Sequence, residues 1–177
     1  FMEMAFWGQR TGKQVVIVVE QIREIYSYVK WAEATGLRPI VGLRGRLYSK
    51  GSGKWEESGG ETSKFGLSTL ELLECFRVLR EANMLPALRM LHFHIGSQIT
   101  DIRKIKSAVK EASRVYAKFR RMKAPIEYLN VGGGLGVDYD GSRTPSDSSV
   151  NYTIQEFAND VVYTVRDDVV HVVRILH

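Results

Sequence analysis

A run of β-branched residues near the start of the chain constrains the fold most. Gln14–Val19 reads Gln-Val-Val-Ile-Val-Val and contains no polar alternation. Such a run predicts a strand buried on both faces, which is the usual environment inside a parallel sheet. Apolar residues then recur at helical spacing through Glu20–Ala34, and Gly36 follows as a common helix-ending residue.

The same order of strand and helix repeats along the chain. Later segments predict three more strands (Pro39–Arg44, Leu91–Ile95, Ile126–Val131) and three more helices (Ser68–Ala82, Asp101–Met122, Thr153–Val165). The alternation predicts an α/β fold with a parallel sheet and right-handed crossovers. Such a set of βα units amounts to half of a (β/α)8 barrel or to most of a small open sheet.

Composition excludes several classes of protein. The chain has 177 residues, of which 44% are apolar and 25% charged, as in ordinary soluble domains. Its apolar runs are too short to span a bilayer, and its first residues lack the pattern of a signal peptide. The single cysteine, Cys75, lies among apolar residues, which predicts a buried thiol and fits a reducing compartment. The chain begins without an initiator methionine, so we expect a piece of a longer protein.

A glycine-rich loop follows the strand predicted at 126–131. Gly132, Gly133, Gly134 and Gly136 offer backbone N–H groups with no side chains in the way, which suits a phosphate. The loop is not the dinucleotide fingerprint, since position 137 is valine, and it lacks the Lys-Ser/Thr of a Walker loop. The alternative is a tight turn that binds no ligand.

The strand Leu91–Ile95 carries two histidines and ends at Gly96, where Ser97 adds a hydroxyl. His92 and His94 alternate with apolar residues and share one face, so they could bind a metal, stack on a planar cofactor or pack in the core. A metal site would need further ligands, and the other histidines lie in the tail. Arg44 and Arg46 end another strand, where they would bind a phosphate or carboxylate or lie at the surface.

One side of the helix predicted at Asp101–Met122 is basic. Nucleic-acid or membrane binding is one reading of that side. We prefer a solvated outer face, because no aromatic residues are interleaved with the charges. The charged residues concerned are Arg103, Lys104, Lys106, Lys110, Arg114, Lys118, Arg120, Arg121 and Lys123.

Five motifs occur in a specific order along the chain. They are Gly51–Trp55, Ser58–Glu61, Ser63–Leu67, Leu91–Gln98 and Val131–Tyr139. Together they closely resemble the biosynthetic arginine decarboxylases, a branch of the fold-type III pyridoxal-phosphate enzymes. The resemblance runs from Lys13 to Asp167. The Gly51–Glu61 loop and Ser149-Val150-Asn151-Tyr152 are the features similar to the arginine branch.

The resemblance implies a role for each matching residue. His94 matches the histidine that stacks on the cofactor ring, and Gly132–Gly134 match the loop that holds the phosphate. Ser97 matches a hydroxyl near that phosphate. Arg44 matches a strand-end arginine near the cofactor, and Lys64 belongs to a Lys-Phe-Gly motif beside the site. His94 and Lys64 are thus the implied catalytic residues of this chain.

The resemblance also implies a fold and an activity. The fold would be about half of a pyridoxal-phosphate-binding (β/α)8 barrel of the TIM type. The whole enzyme would convert L-arginine to agmatine and carbon dioxide for polyamine and spermidine synthesis. It would be a cytoplasmic homodimer or tetramer that requires magnesium, with no nucleic-acid or membrane partner. The alternatives are a diaminopimelate or ornithine decarboxylase, or a non-catalytic regulatory paralogue with the same barrel.

The chain also departs from the family pattern. The Pro-Ile-Lys motif with the cofactor-bonding lysine, the Glu-Ser-Gly-Arg segment and the residues of the C-terminal β-domain have no match in it. Asn130 stands where the family has aspartate, and residues after Asp167 no longer follow the family. We therefore expect the middle of a barrel domain, marginally stable and inactive by itself.

Overall fold

A computed structural model describes residues 1–48 and 65–174 of the chain. Its helices and strands are, in order, α1 (Met2–Arg10), β1 (Val16–Val19), α2 (Ile22–Thr35), β2 (Ile40–Arg44), α3 (Thr69–Glu81), a 3₁₀ turn (Leu85–Ala87), β3 (Leu88–His92), α4 (Ile102–Arg121), β4 (Tyr128–Asn130) and α5 (Ile154–Arg174). The chain divides into two compact units. Unit 1 is Phe1–Gly45, Phe65–His92 and Phe119–Asn130; unit 2 is Arg46–Lys64, Phe93–Lys118 and Val131–His177.

A four-stranded parallel sheet forms the centre of unit 1. Its strand order is β1-β2-β3-β4, so each strand pairs with the next one along the chain. Arg44 of β2 pairs with His92 of β3, which in turn pairs with Asn130 of β4. The predicted parallel α/β arrangement is therefore confirmed, with a helix after each strand.

The two faces of the sheet are buried to different extents. On β1, Ile17 and Val19 are fully buried, whereas Val16 and Val18 are only half-buried. The prediction of a strand buried on both faces was wrong, because helices α1 and α2 pack against β1 and account for one buried face. Gly42 pairs with Val18 on one side and with Met90 on the other. A Cβ at Gly42 would lie only 3.3 Å from Cβ of Met90, so the glycine lets the Met90 side chain pack closely against β2.

Local sequence signals explain where the helices begin and end. At α3, Glu71 N–H donates to the Ser68 hydroxyl and the Glu71 carboxylate accepts from Ser68 N–H, which confirms the predicted capping box. Gly36 ends α2 with φ of 72°, a left-handed conformation that glycine adopts without strain. Cys75 of α3 is buried as predicted, and burial raises the pKa of its thiol to about 12.

All four strand predictions overran the observed strands at one or both ends. β1 begins at Val16, β2 begins at Ile40 and β4 spans only Tyr128–Asn130. β3 spans Leu88–His92, so it both begins and ends three residues before the predicted strand. The ladder explains the carboxyl ends, because Arg44, His92 and Asn130 form the last register pairs. His94 consequently lies in the loop after β3, where strand alternation no longer defines its face.

Two helices differ from the predictions. α1 was not predicted; it buries Phe6, whose ring centroid lies 5.5 Å from that of Tyr28. α5 continues to Arg174, well beyond the predicted end at Val165. Its sequence contains neither glycine nor proline, so nothing in it interrupts the backbone hydrogen bonds.

Unit 2 contains most of α4 and all of α5. The inner side of α4 buries Ile105, Val109 and Ala112. Lys106 and Asp160 join α4 to α5 in an ion pair of 3.0 Å. Most basic side chains of α4 are exposed, as a solvated face requires. Among the described residues, no helix is both long and apolar enough to cross a membrane.

Candidate cofactor-binding site

The loop after β3 and the loop after β4 are joined within unit 2. Ile99 N–H donates to the Gly134 carbonyl over 3.1 Å, and Ile99 and Leu135 form a parallel bridge. The side chain of Gln98 reinforces this pairing. Its Nε2 donates to the Val137 carbonyl at 2.9 Å, and its Oε1 accepts from Val137 N–H at 3.0 Å. The His-x-Gly-Ser loop and the glycine loop therefore form one connected structure.

Two glycines of this structure have conformations and surroundings that exclude a side chain. Gly132 has φ of 73°, and a Cβ there would lie 2.7 Å from the Phe93 carbonyl oxygen and 2.8 Å from Nδ1 of His94. Gly134 has φ of 86°, and a Cβ there would overlap the carbonyl oxygen of Gly96. Both positive φ values are unfavourable for residues with a Cβ. The two glycines are thus required by the loop itself.

Gly133, between them, has the opposite surroundings. A Cβ at this position would meet nothing within 4 Å. The side-chain direction of Gly133 therefore points into open space. A glycine peptide group next to open space is suited to the approach of an anion such as a phosphate.

The structure brings together most of the predicted cofactor residues. Gly132 lies against His94, and a Cβ at Gly134 would lie 3.0 Å from Cα of Ser97. His94 is half-buried and Ser97 is exposed. Lys64 lies outside the described residues. Arg44 belongs to unit 1.

Polar residues lie at the carboxyl ends of the strands in unit 1. Arg44 Nη1 forms an ion pair of 2.6 Å with Glu20, which directly follows β1, and the Arg44 side chain is only 16% exposed. Its guanidinium also lies 5.8 Å from the ring centroid of Phe65. Arg44 is therefore a fixed internal arginine that holds a carboxylate of its own chain, not a surface residue.

His92 lies beside Arg44 in the sheet, at the carboxyl end of β3. It hydrogen-bonds with Asn130, while its buried Nδ1 has no hydrogen-bond partner among the described residues. Burial is the main cause that lowers the pKa of His92 below its usual value, and the nearby Arg44 charge adds to it. The described residues hold no group of three or more His, Cys, Asp or Glu side chains that could bind a metal.

Sequence reasoning missed Glu20, Gln98 and Tyr152. Glu20 had a usable signal, because it follows the strand β1 directly, as Arg44 ends β2. Gln98 had a weaker one, its place after Gly96-Ser97. Tyr152 was noted only as part of a branch motif, and no local pattern shows that its hydroxyl reaches Ile99 and Gly136.

With this geometry in hand, comparison with known proteins is informative. Residues 9–174 match the model of the pyridoxal-dependent decarboxylases, pyridoxal binding domain. The chain belongs to this decarboxylase family. The match confirms the resemblance inferred from the motifs, the fold class and the predicted pyridoxal cofactor.

Individual relatives agree with this family. The chain is 54% identical over 167 residues to a biosynthetic arginine decarboxylase of Deinococcus radiodurans, covering 94% of the chain and 25% of that protein. It is 48% identical over 168 residues to the enzyme of the same name from Phocaeicola vulgatus, covering 94% of the chain and 27% of the relative. The chain thus spans about a quarter of the length of these curated relatives.

Solved structures of the decarboxylase family show the same fold. The biosynthetic arginine decarboxylase of Campylobacter jejuni superposes with a TM-score of 0.83 at 32% identity, over 97% of this chain and 27% of that one. Diaminopimelate decarboxylase of Helicobacter pylori, complexed with L-lysine, superposes with a TM-score of 0.71 at 20% identity, over 94% of this chain and 40% of that one. The second likeness establishes the fold alone.

The residues in unit 2 fit pyridoxal phosphate. The open space beside Gly133 suits its phosphate, and the half-buried imidazole of His94 lies next to Gly132. A planar imidazole can lie against an aromatic ring. The joined loops therefore offer both kinds of contact that this cofactor requires.

Proposed function

We propose that the whole protein decarboxylates L-arginine to agmatine and carbon dioxide, and that this chain supplies the phosphate-binding part of its cofactor site. The observation that carries the cofactor role is the uncovered Gly133 between two glycines that the fold requires. The substrate is supported by the identity of 44–54% with proteins named biosynthetic arginine decarboxylases. The likeness to diaminopimelate decarboxylase structures is lower, at 20–23% identity.

Each residue that the family resemblance points to has a proposed task. The backbone of Gly132–Gly134 binds the cofactor phosphate, with the Ser97 hydroxyl as an additional donor. The imidazole of His94 stacks on the cofactor ring and fixes its orientation. Arg44 lies near the cofactor with its guanidinium held in place by Glu20, and Lys64 lies beside the site.

Decarboxylation leaves an electron pair on the substrate, and this pair must be delocalised. When bound, pyridoxal phosphate delocalises the electron pair that remains after carbon dioxide leaves the substrate. The chain's own residues bind and orient: the glycine loop anchors one end of the cofactor, and His94 restricts the tilt of its ring. The residues that bond the cofactor and hold its ring nitrogen have no counterpart among the motifs of this chain.

We therefore propose that the chain alone does not decarboxylate arginine. The test is to mix it with pyridoxal phosphate, reduce with borohydride and map any labelled lysine by mass spectrometry. Low, scattered labelling and no release of carbon dioxide from carboxyl-labelled arginine are expected. Stoichiometric labelling of one lysine together with carbon dioxide release would contradict this.

The activity of the whole protein is tested separately. The full-length protein should release carbon dioxide from labelled L-arginine far faster than from diaminopimelate or ornithine. A preference for either of those two would support the corresponding alternative decarboxylase. Cofactor binding without any decarboxylation would support a regulatory paralogue. His94→Ala in that protein should lower activity, and unchanged activity would refute the stacking role.

Further properties of the whole protein rest on the family resemblance. We infer a cytoplasmic enzyme of polyamine synthesis that assembles as a homodimer or tetramer and requires magnesium. Any magnesium ligands would have to lie outside the described residues or be combined with other groups, because no metal-binding cluster occurs among them. Sedimentation of the purified protein and activity after chelation test the assembly and the metal. A monomer that stays active in chelator would overturn both inferences.

A further inference from the structure

The motif Ser149-Val150-Asn151-Tyr152 marks the arginine branch, yet none of its residues has a place in the proposed chemistry. We propose that Tyr152 is a positioning residue, which holds the glycine loop in its phosphate-accepting shape through two hydrogen bonds. The inference rests on the proposed function for its meaning. Its geometry, however, lies entirely within unit 2.

The hydroxyl of Tyr152 joins the two site loops. It donates to the Ile99 carbonyl at 2.6 Å and accepts from the Gly136 N–H at 3.0 Å. Ile99 belongs to the loop after β3, and Gly136 closes the glycine loop after β4. One phenol oxygen thus bridges the two backbones, next to the hydrogen bonds that Ile99 and Gln98 make with Gly134 and Val137.

The phenol is suited to this double role. Tyr152 is only 8% exposed, and burial raises the pKa of its hydroxyl, although the Gly136 N–H opposes that shift. The hydroxyl therefore keeps its proton at neutral pH and remains a donor to Ile99. Phenylalanine would fill the same space and would leave the buried Ile99 carbonyl and the part-buried Gly136 N–H without this partner.

The other residues of the motif hold the same region. Asn151 N–H donates to the Thr100 carbonyl at 3.1 Å, and its Oδ1 accepts from Ile102 N–H at 3.0 Å. Ser149, fully buried, donates through its hydroxyl to Asp138 at 2.6 Å. The motif acts as a strap across the two loops, with Tyr152 at its end nearest the glycines.

Close packing against this strap leaves no room for a side chain at position 136. A Cβ on Gly136 would overlap Cγ1 of Val150 and lie 2.8 Å from the Ile99 carbonyl oxygen. The fourth glycine of the loop is therefore explained by the strap, not by the phosphate. The motif would thus act on the cofactor loop.

The first experiment needs no cofactor. Hydrogen exchange at Gly136 is measured by mass spectrometry, on peptides that contain this residue, in the full-length wild-type protein, in Tyr152→Phe and in the control Tyr139→Phe; Tyr139 is 75% exposed. Loss of one hydrogen bond corresponds to roughly a tenfold effect, so exchange in Tyr152→Phe should be about ten times faster. The control should match the wild type. Unchanged exchange in Tyr152→Phe would overturn the proposal.

The second experiment measures cofactor binding by ³¹P NMR titration with pyridoxal phosphate. The dissociation constant should rise about tenfold in Tyr152→Phe and stay unchanged in Tyr139→Phe. Equal affinities of wild type and Tyr152→Phe would overturn the positioning role. If the full-length wild-type protein binds no pyridoxal phosphate, the proposed function fails, while the exchange experiment still decides whether Tyr152 holds the loop.

The wild-type chain provides a measurement that does not depend on a variant folding. The Gly141 amide donates to the exposed Asp138 carboxylate at 3.0 Å, whereas the Gly136 amide donates to the buried Tyr152 hydroxyl. Exchange at Gly136 should be at least about ten times slower than at Gly141. Equal rates would refute the role of the strap.

Discussion

Replacement of Gly134 by alanine tests the central geometric claim about the glycine loop. The added Cβ would overlap the carbonyl oxygen of Gly96 and approach Cα of Ser97 to 3.0 Å. The backbone φ of 86° adds a conformational penalty of roughly 1–2 kcal/mol for a residue with a Cβ. Relief of the overlap requires a backbone shift, at a cost of about 1–3 kcal/mol. We expect a destabilisation of about 2–5 kcal/mol.

Gly133→Ala is the matched control for this experiment. It adds the same methyl group one residue earlier, where nothing lies within 4 Å and φ is not in the left-handed region. Its effect on the free energy of unfolding should stay within about 0.5 kcal/mol. The two variants therefore differ in surroundings and backbone conformation but not in composition.

Urea unfolding followed by circular dichroism measures the difference. With a urea slope of about 2 kcal/mol/M, Gly134→Ala should lower the midpoint by roughly 1–2.5 M relative to Gly133→Ala. Amide exchange over residues 131–137 should show whether the loop opens locally before the rest unfolds. Equal midpoints and equal exchange in the two variants would refute the argument that the fold requires glycine at position 134.

Three further predictions concern pH and association. Burial lowers the pKa of His92, so the unfolded chain binds more protons below about pH 6.5. Stability should therefore fall as the pH drops from 7 to 5, and His92→Gln should reduce that loss. The hydrogen bond from Arg103 lowers the pKa of Asp101 to about 2, so the ionised Asp101 stabilises the fold above about pH 4 and loses this effect towards pH 2. Asp101→Ala should therefore lower the free energy of unfolding by about 1 kcal/mol at pH 7 and by less at pH 2. β1 and β4 are edge strands of the described sheet, so the isolated chain should self-associate in sedimentation experiments; a monomer with cooperative unfolding at high temperature would contradict this.

Much of the fold was predictable because its signals are local. The capping box at Ser68, the helix-ending Gly36 and the apolar spacing along α4 each depend on residues within a few positions of one another. Strand ends were harder to place. β3 ends at His92 because its pairing with β2 and β4 ends there. The residues of β3 alone do not show how far the two neighbouring strands extend.

The candidate site divides in the same way. Gly132–Gly134 were predicted from their place after a strand, His94 from its alternation within a predicted strand, and the roles of both from a family resemblance. The ion pair of Glu20 with Arg44 joins the residue after β1 to the last residue of β2, so only the sheet reveals it. The hydroxyl of Tyr152 reaches Ile99 across 53 positions of sequence, a distance over which no local pattern carries information.

The agreement between strand order and chain order has a consequence for how the protein is made. Each strand of the sheet after β1 pairs with one that precedes it in the sequence. During synthesis, at roughly 5–20 residues per second, every new strand would find its partner already outside the ribosome. The sheet could thus grow in one direction without waiting for later segments. Ribosome-bound chains that stop after β3 should then resist protease at β1 and β2, and rapid cleavage there would show that later segments are needed.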